Sequence, residues 1–87
     1  MIVYAVMSWW DTDESSYAEL VGVYRSREGA RAALKADVAK LKSEMNADGG
    51  SSWWSEDSDE GEDLVTLITS DYDDTYAWWI DDRELED

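Results

Sequence analysis

Almost every residue able to do chemistry in this 87-residue chain is a carboxylate. There are 22 Asp and Glu against seven Lys and Arg, with no His and no Cys. The commonest general base at neutral pH and the thiolate nucleophile are therefore both missing. The serines have only lysines and carboxylates as prospective bases. The five glycines (Gly22, Gly29, Gly49, Gly50, Gly61) fall in no phosphate-cradling spacing. Two carboxylates could share acid–base work, but only inside a concave pocket, which a domain this small rarely has. The expectation is a non-enzymatic protein with no cofactor.

The carboxylates are unevenly spread. Residues 1–24 carry four acids and no base, a net −4; residues 25–42 carry six bases and two acids, a net +4. Residues 43–87 carry sixteen acids and one base, a net −15, equal to the charge of the whole chain. Such a field repels DNA, RNA and anionic membranes and attracts basic partners. Acids at alternate positions of an extended chain, as at Asp57–Asp59 and Asp71–Asp73, recur on one side every ~6.6–6.8 Å. DNA carries one charge per ~1.7 Å of axis. A dense acidic surface can thus occupy the Lys/Arg grooves of nucleic-acid-binding proteins. The candidate contact residues are Asp57, Asp59, Glu60, Glu62, Asp63, Asp71, Asp73, Asp74, Asp81 and Asp82. A solvated charge run, or a halophilic surface, would explain the charge without a partner.

A metal site is not expected. The segment "DSDEGED" (57–63) resembles a calcium loop, but Gly61 falls at the fifth position of the loop instead of the sixth.

All six tryptophans lie in three doublets, Trp9–Trp10, Trp53–Trp54 and Trp78–Trp79, each followed by acids. Neighbouring side chains of a strand point to opposite faces, so each doublet sends one ring inward and one outward. Inward rings fill a core that has no Phe; outward rings cover an open sheet face or form a contact surface. Trp53 and Trp54 sit in a polar segment and complete the candidate contact set. Docked onto the body, they would pin the acidic run at 51–63.

The elements that must position these residues follow from periodicity. "IVYAVMSWW" (2–10), "YAELVGVY" (17–24), "LVTLITS" (64–70) and "TYAWWID" (75–81) read as strands. Ser26 is an N-cap for a helix over 27–46, with Ala30, Leu34, Val38, Leu41 and Met45 forming its apolar stripe. Arg27, Arg31, Lys35 and Lys42 flank that stripe, placed to neutralise the chain's own acids. The pattern predicts an α+β fold, β-β-α-β-β, with one helix packed on a mostly antiparallel four-stranded sheet. It predicts a single domain over 1–87, with a polar acidic segment at 51–63 and a frayed tail at 82–87. No apolar run is long enough to span a membrane, and "MIVYAVMSWWDTDE" has no signal-peptide pattern. The absence of cysteine fits a reducing, cytoplasmic setting.

Two resemblances add to this. "MIVYAV…LVGVYRSREGARAAL" is similar to short phage and bacterial proteins with a strand, a loop and "GVYxSxExA" leading into a helix, which implies a small α+β fold. In size, acidity and aromatic content the whole chain resembles phage-encoded inhibitors that mimic nucleic acid, among them anti-CRISPR proteins. That likeness implies a CRISPR effector or another phosphate-binding defence enzyme as the target, met in the host cytoplasm if the chain is phage-encoded; the expected partner is a basic nucleic-acid-binding protein, and the expected state a monomer or homodimer. The alternative expectation is a protein-interaction or regulatory module that binds through exposed tryptophans, its acids serving solubility.

Overall fold

The computed structural model describes residues 1–12, 15–44 and 54–85. Along the chain lie β1 (Ile2–Asp11), β2 (Ser16–Tyr24), α1 (Arg27–Glu44), β3 (Asp59–Glu60), β4 (Leu64–Ile68) and β5 (Thr75–Glu84). The strands form one antiparallel sheet in the order β2-β1-β5-β4-β3, so β1 and β5 are interior and β2 and β3 are edges.

The fold is α+β, as the periodicity predicts, but among the described residues the sheet has five strands, not four. The additional strand is β3, inside the stretch expected to be polar loop. Asp and Glu are poor strand formers. Here Asp59 and Glu60 are held by pairing with Thr66 and Val65, and Glu60 also accepts a hydrogen bond from Lys42. Gly61 closes the following turn by donating its N–H to the Leu64 carbonyl; a Cβ at Gly61 would lie 2.9 Å from that oxygen. β5 runs on to Glu84, so residues 82–84 of the expected tail are strand residues paired with β1.

α1 begins where the cap predicts. Gly29 N–H donates to the Ser26 hydroxyl, Glu28 lies in the first turn and Lys42 in the last. Its buried residues Ala30, Leu34 and Val38 meet Val6, Val65, Leu67 and Trp78 from the sheet, and this is the core. Leu41 is half-buried, and Met45 lies outside the described residues.

The strand alternation sorts the tryptophans. Trp78 is 3% exposed on the helix face, where its indole N–H donates to Asp37 at 2.8 Å. Its neighbour Trp79 pairs with Met7 and Leu64 on the opposite face. Trp10 stays on the helix side at the sheet end, its ring 4.4 Å from Tyr17 and 6.4 Å from Tyr76, and Trp9 turns to the open face. That open face also carries Met7, Leu20, Val23 and Leu64, with no helix of the described residues over it. No helix among the described residues is long and apolar enough to cross a membrane.

Candidate functional site

The β-ladder gathers acids at one end of the sheet. Asp11, the last residue of β1, pairs with Thr75, the first of β5. The preceding turn, 69–74, brings Asp71, Asp73 and Asp74 to the same end. The 55–58 turn lies against it, because Ser55 N–H and Ser58 Oγ both donate to the Ile68 carbonyl. This adds Glu56 and Asp57.

Tyr72 organises the rim. Ser55 Oγ donates to the Tyr72 hydroxyl at 2.8 Å, which donates in turn to Asp57 Oδ2 at 2.9 Å. Asp57 N–H closes the ring on Ser55 Oγ at 3.1 Å. The Tyr72 backbone sits at φ 62°, a left-handed conformation uncommon for a bulky residue. Its side chain is nonetheless 61% exposed.

Buried Thr69 braces the other half of the rim. Its hydroxyl donates to Asp71 Oδ1 at 2.7 Å and accepts from the Asp74 N–H at 3.1 Å, while Asp73 N–H donates to Asp71. The Thr69 hydroxyl is the main cause, with the Asp73 N–H next, of an Asp71 carboxyl held below its ordinary pKa. No Lys or Arg of the described residues forms an ion pair with Asp57, Asp71 or Asp74. Asp57, Asp71 and Asp74 are thus ordered without an ion pair among the described residues, and the exposed Tyr72 ring stands in their midst.

The other acids expected at the site lie elsewhere. Arg27 and Arg31 clamp Asp63 at 2.9 and 2.6 Å, Arg31 reaches Glu62 at 3.5 Å, and Lys42 holds Glu60 at 2.8 Å. These three acids brace β3 and its turn to α1 along a groove of ≈ 590 Å³ floored by Leu34, Val38 and Val65. Asp81 bonds Arg83, and Asp82 pairs with Tyr4, both toward the far end of β5. Asp59 is exposed on the β3 edge. Among the described residues no group of acids is arranged to hold a metal ion.

Trp54 packs against the core, its ring 6.2 Å and edge-on to Tyr76, and its backbone bridges Thr69. Its indole N–H is buried with no partner among the described residues. Trp54 is half-buried and is placed to anchor the acidic turn; Trp53 lies outside the described residues. The aromatic ring that does stand among the acids is Tyr72. Its signal in the sequence was "DYDD", one aromatic flanked by acids inside a turn. Trp54→Ala is expected to speed cleavage after Glu56 by a glutamate-specific protease at least about tenfold, as a local loss of about 1.4 kcal/mol would. An unchanged cleavage rate would remove the anchor role.

Arg31 is the chief cause of an Asp63 carboxyl held below its ordinary pKa. Because the folded value is the lower one, the clamp's stabilisation is fully present above the unfolded value of about 3.9. It is lost as pH falls through the folded value. The melting temperature of the protein should therefore exceed that of Asp63→Asn by a constant margin from pH 7 to about 5. The margin should shrink below about pH 4. A margin that persists at pH 2 would contradict the ion-pair origin.

Comparison with protein-family models, with curated proteins and with solved structures finds no match for the chain.

Proposed function

We propose that the protein is a non-enzymatic inhibitor whose acidic surface occupies the nucleic-acid-binding groove of a basic target protein, a CRISPR effector in the first instance. The observation that carries this reading is the rim of Asp57, Asp71, Asp73 and Asp74 around Tyr72. Exposed carboxylates are ordinarily disordered and hydrated, and ordering them at binding costs affinity. Here tyrosine, threonine and main-chain donors order several of them in the free protein. A non-glycine residue at positive φ within such a cluster is the kind of outlier that function retains. The mechanism is occupancy. Carboxylates take the place of phosphates opposite Lys and Arg, and the Tyr72 ring adds apolar contact. No cofactor or metal takes part, and the site of action is the cytoplasm, that of the host if the chain is phage-encoded.

The test is competition. Purified protein is titrated into a CRISPR effector loaded with guide RNA and bound to fluorescent target DNA, at 50 and at 500 mM salt. The expected result is release of DNA at low salt and much weaker release at high salt, since exposed charges are screened beyond a few ångströms there. Failure to displace DNA at either salt from any effector assayed would overturn the CRISPR assignment. Binding to a partner that has no nucleic-acid function would overturn the mimicry.

A second reading rests on the uncovered sheet face with Trp9, Trp79, Leu20, Val23 and Leu64. It makes the protein an interaction or regulatory module that docks a partner through these residues, the acids serving solubility. Such binding would be nearly indifferent to salt, which separates the two.

A further inference from the structure

We propose that β2 is the interface of a symmetric homodimer, in which two copies pair edge to edge and antiparallel so that their five-stranded sheets become continuous.

The first ground is the edge itself. β2 is nine residues long and, among the described residues, pairs only with β1, leaving one row of main-chain donors and acceptors without a strand partner there. Sheet edges of this length are normally blunted by lysine, proline or inward charge. β2 has no Lys and no Pro, and Glu19 is its only charge. It exposes Tyr17, Leu20 (54%) and Val23 (53%) instead. The one irregularity is the bulge at Val21, where Gly22 pairs with Val6 and Leu20 with Met7; regular ladder continues on either side of it.

The second ground is charge, and it selects the partner. At −15 per chain, a second copy is the least favourable neighbour unless the geometry separates like charges. Antiparallel pairing of β2 does so. The acid-rich β3 edges fall at opposite margins of the joined sheet, nine strand spacings or roughly 43 Å apart at ~4.8 Å each. The two acidic rims point in opposite directions along the strands. Both separations exceed the Debye length of about 8 Å at physiological salt.

The same arrangement creates attraction. β2 starts beside Asp11, which pairs with Ser16, and ends at Tyr24, followed by Arg25. Asp11 and Arg25 are exposed, and neither forms an ion pair among the described residues. Antiparallel pairing brings Arg25 of each copy to the Asp11 end of the other, twice over. An unrelated strand could satisfy the ladder, but only a second copy supplies both complementary ends from one sequence. The apolar open face, through Leu20 and Val23, then runs on from one copy into the next.

The test needs no target protein, so its outcome is separable from that of the inhibitor reading. Mass is measured by light scattering across protein concentrations, with circular dichroism as the check on folding. The full chain is expected to approach twice its monomer mass as concentration rises. Leu20→Glu with Val23→Glu, both at exposed positions, should raise the dimer dissociation constant at least tenfold with the fold intact. Arg25→Glu alone and Asp11→Arg alone should each weaken the dimer, and the two together should restore it. Arg25→Glu with Asp82→Arg, equal in net charge, should not restore it. A monomer at every concentration overturns the proposal, as does a dimer indifferent to these changes. Protection of β2 amides only when a different protein is added would assign the edge to that protein and overturn it equally.

Discussion

Trp78→Ala is expected to remove about 3–5 kcal/mol of folding stability, the usual loss when a buried large aromatic is truncated. Stability of about 0.05–0.15 kcal/mol per residue gives an 87-residue chain about 4–13 kcal/mol in all. One ring therefore carries a large share of it. Trp78 lies on the interior strand β5, between Ser8 of β1 and Val65 of β4, and beneath α1. It stacks on Tyr76 with centroids 6.5 Å apart, and Tyr76 in turn supports Trp54 and Trp10. Removing the indole opens a cavity at the centre of this cluster and leaves Asp37 without its donor. With a urea slope of about 1 kcal/mol/M, the midpoint should fall by about 3–5 M. Trp78→Phe separates the two contributions. It keeps most of the packing and loses the N–H to Asp37, so it should cost about 1.5–3 kcal/mol. A midpoint unmoved by Trp78→Ala would mean that the helix–sheet core is not where this protein's stability lies.

The core was legible because its signals are periodic and local. Ala30, Leu34 and Val38 fall at helical spacing behind a serine cap, and β1 and β5 are dense in β-branched and aromatic residues. Period two requires Trp78 and Trp79 to face opposite sides of the sheet, but which ring turns inward is decided by the helix that covers Trp78. β3 was not legible, because "DE" has no strand propensity and forms one only through its neighbours Val65 and Thr66. The acidic residues show the same limit more sharply. In the sequence, Asp57 and Asp63 are equivalent members of one run. Whether an acid meets a base depends on partners 32 and 36 residues away for Asp63, in Arg31 and Arg27. The position of the helix bases along the apolar stripe implies that they neutralise the chain's own acids, but not which acids they reach. Tyr72 carries no sequence signal of its bridging role, for a related reason. Its importance lies in a hydroxyl that joins two turns, and nothing local marks that.

Reversing Asp57, Asp71, Asp73 and Asp74 together to lysine is expected to weaken target binding by at least about a thousandfold and so to abolish inhibition. A unit charge pair at 4 Å is worth about 1 kcal/mol in water. Reversal exchanges attraction for repulsion, about 2 kcal/mol per site and about 8 kcal/mol for four in direct contact. Screening reduces this, and half of it, about 4 kcal/mol, already corresponds to a factor of a thousand. Much of the loss should appear as slower association, because the acidic field steers the encounter. Net charge alone would weaken binding wherever the reversals were made, so position has to be tested at constant charge. Asp57→Lys with Asp73→Lys is the rim pair, and Asp81→Lys with Asp82→Lys is the matched pair toward the other end of β5. Rim reversal should cost at least about tenfold more affinity than far-end reversal, the equivalent of about 1.4 kcal/mol. Equal losses would mean that the target senses the total field and not the rim. Retained potency in the fourfold variant would sink the nucleic-acid-mimic reading, and would turn attention to the tryptophan-bearing sheet face, where Trp9 and Trp79 are the side chains to replace.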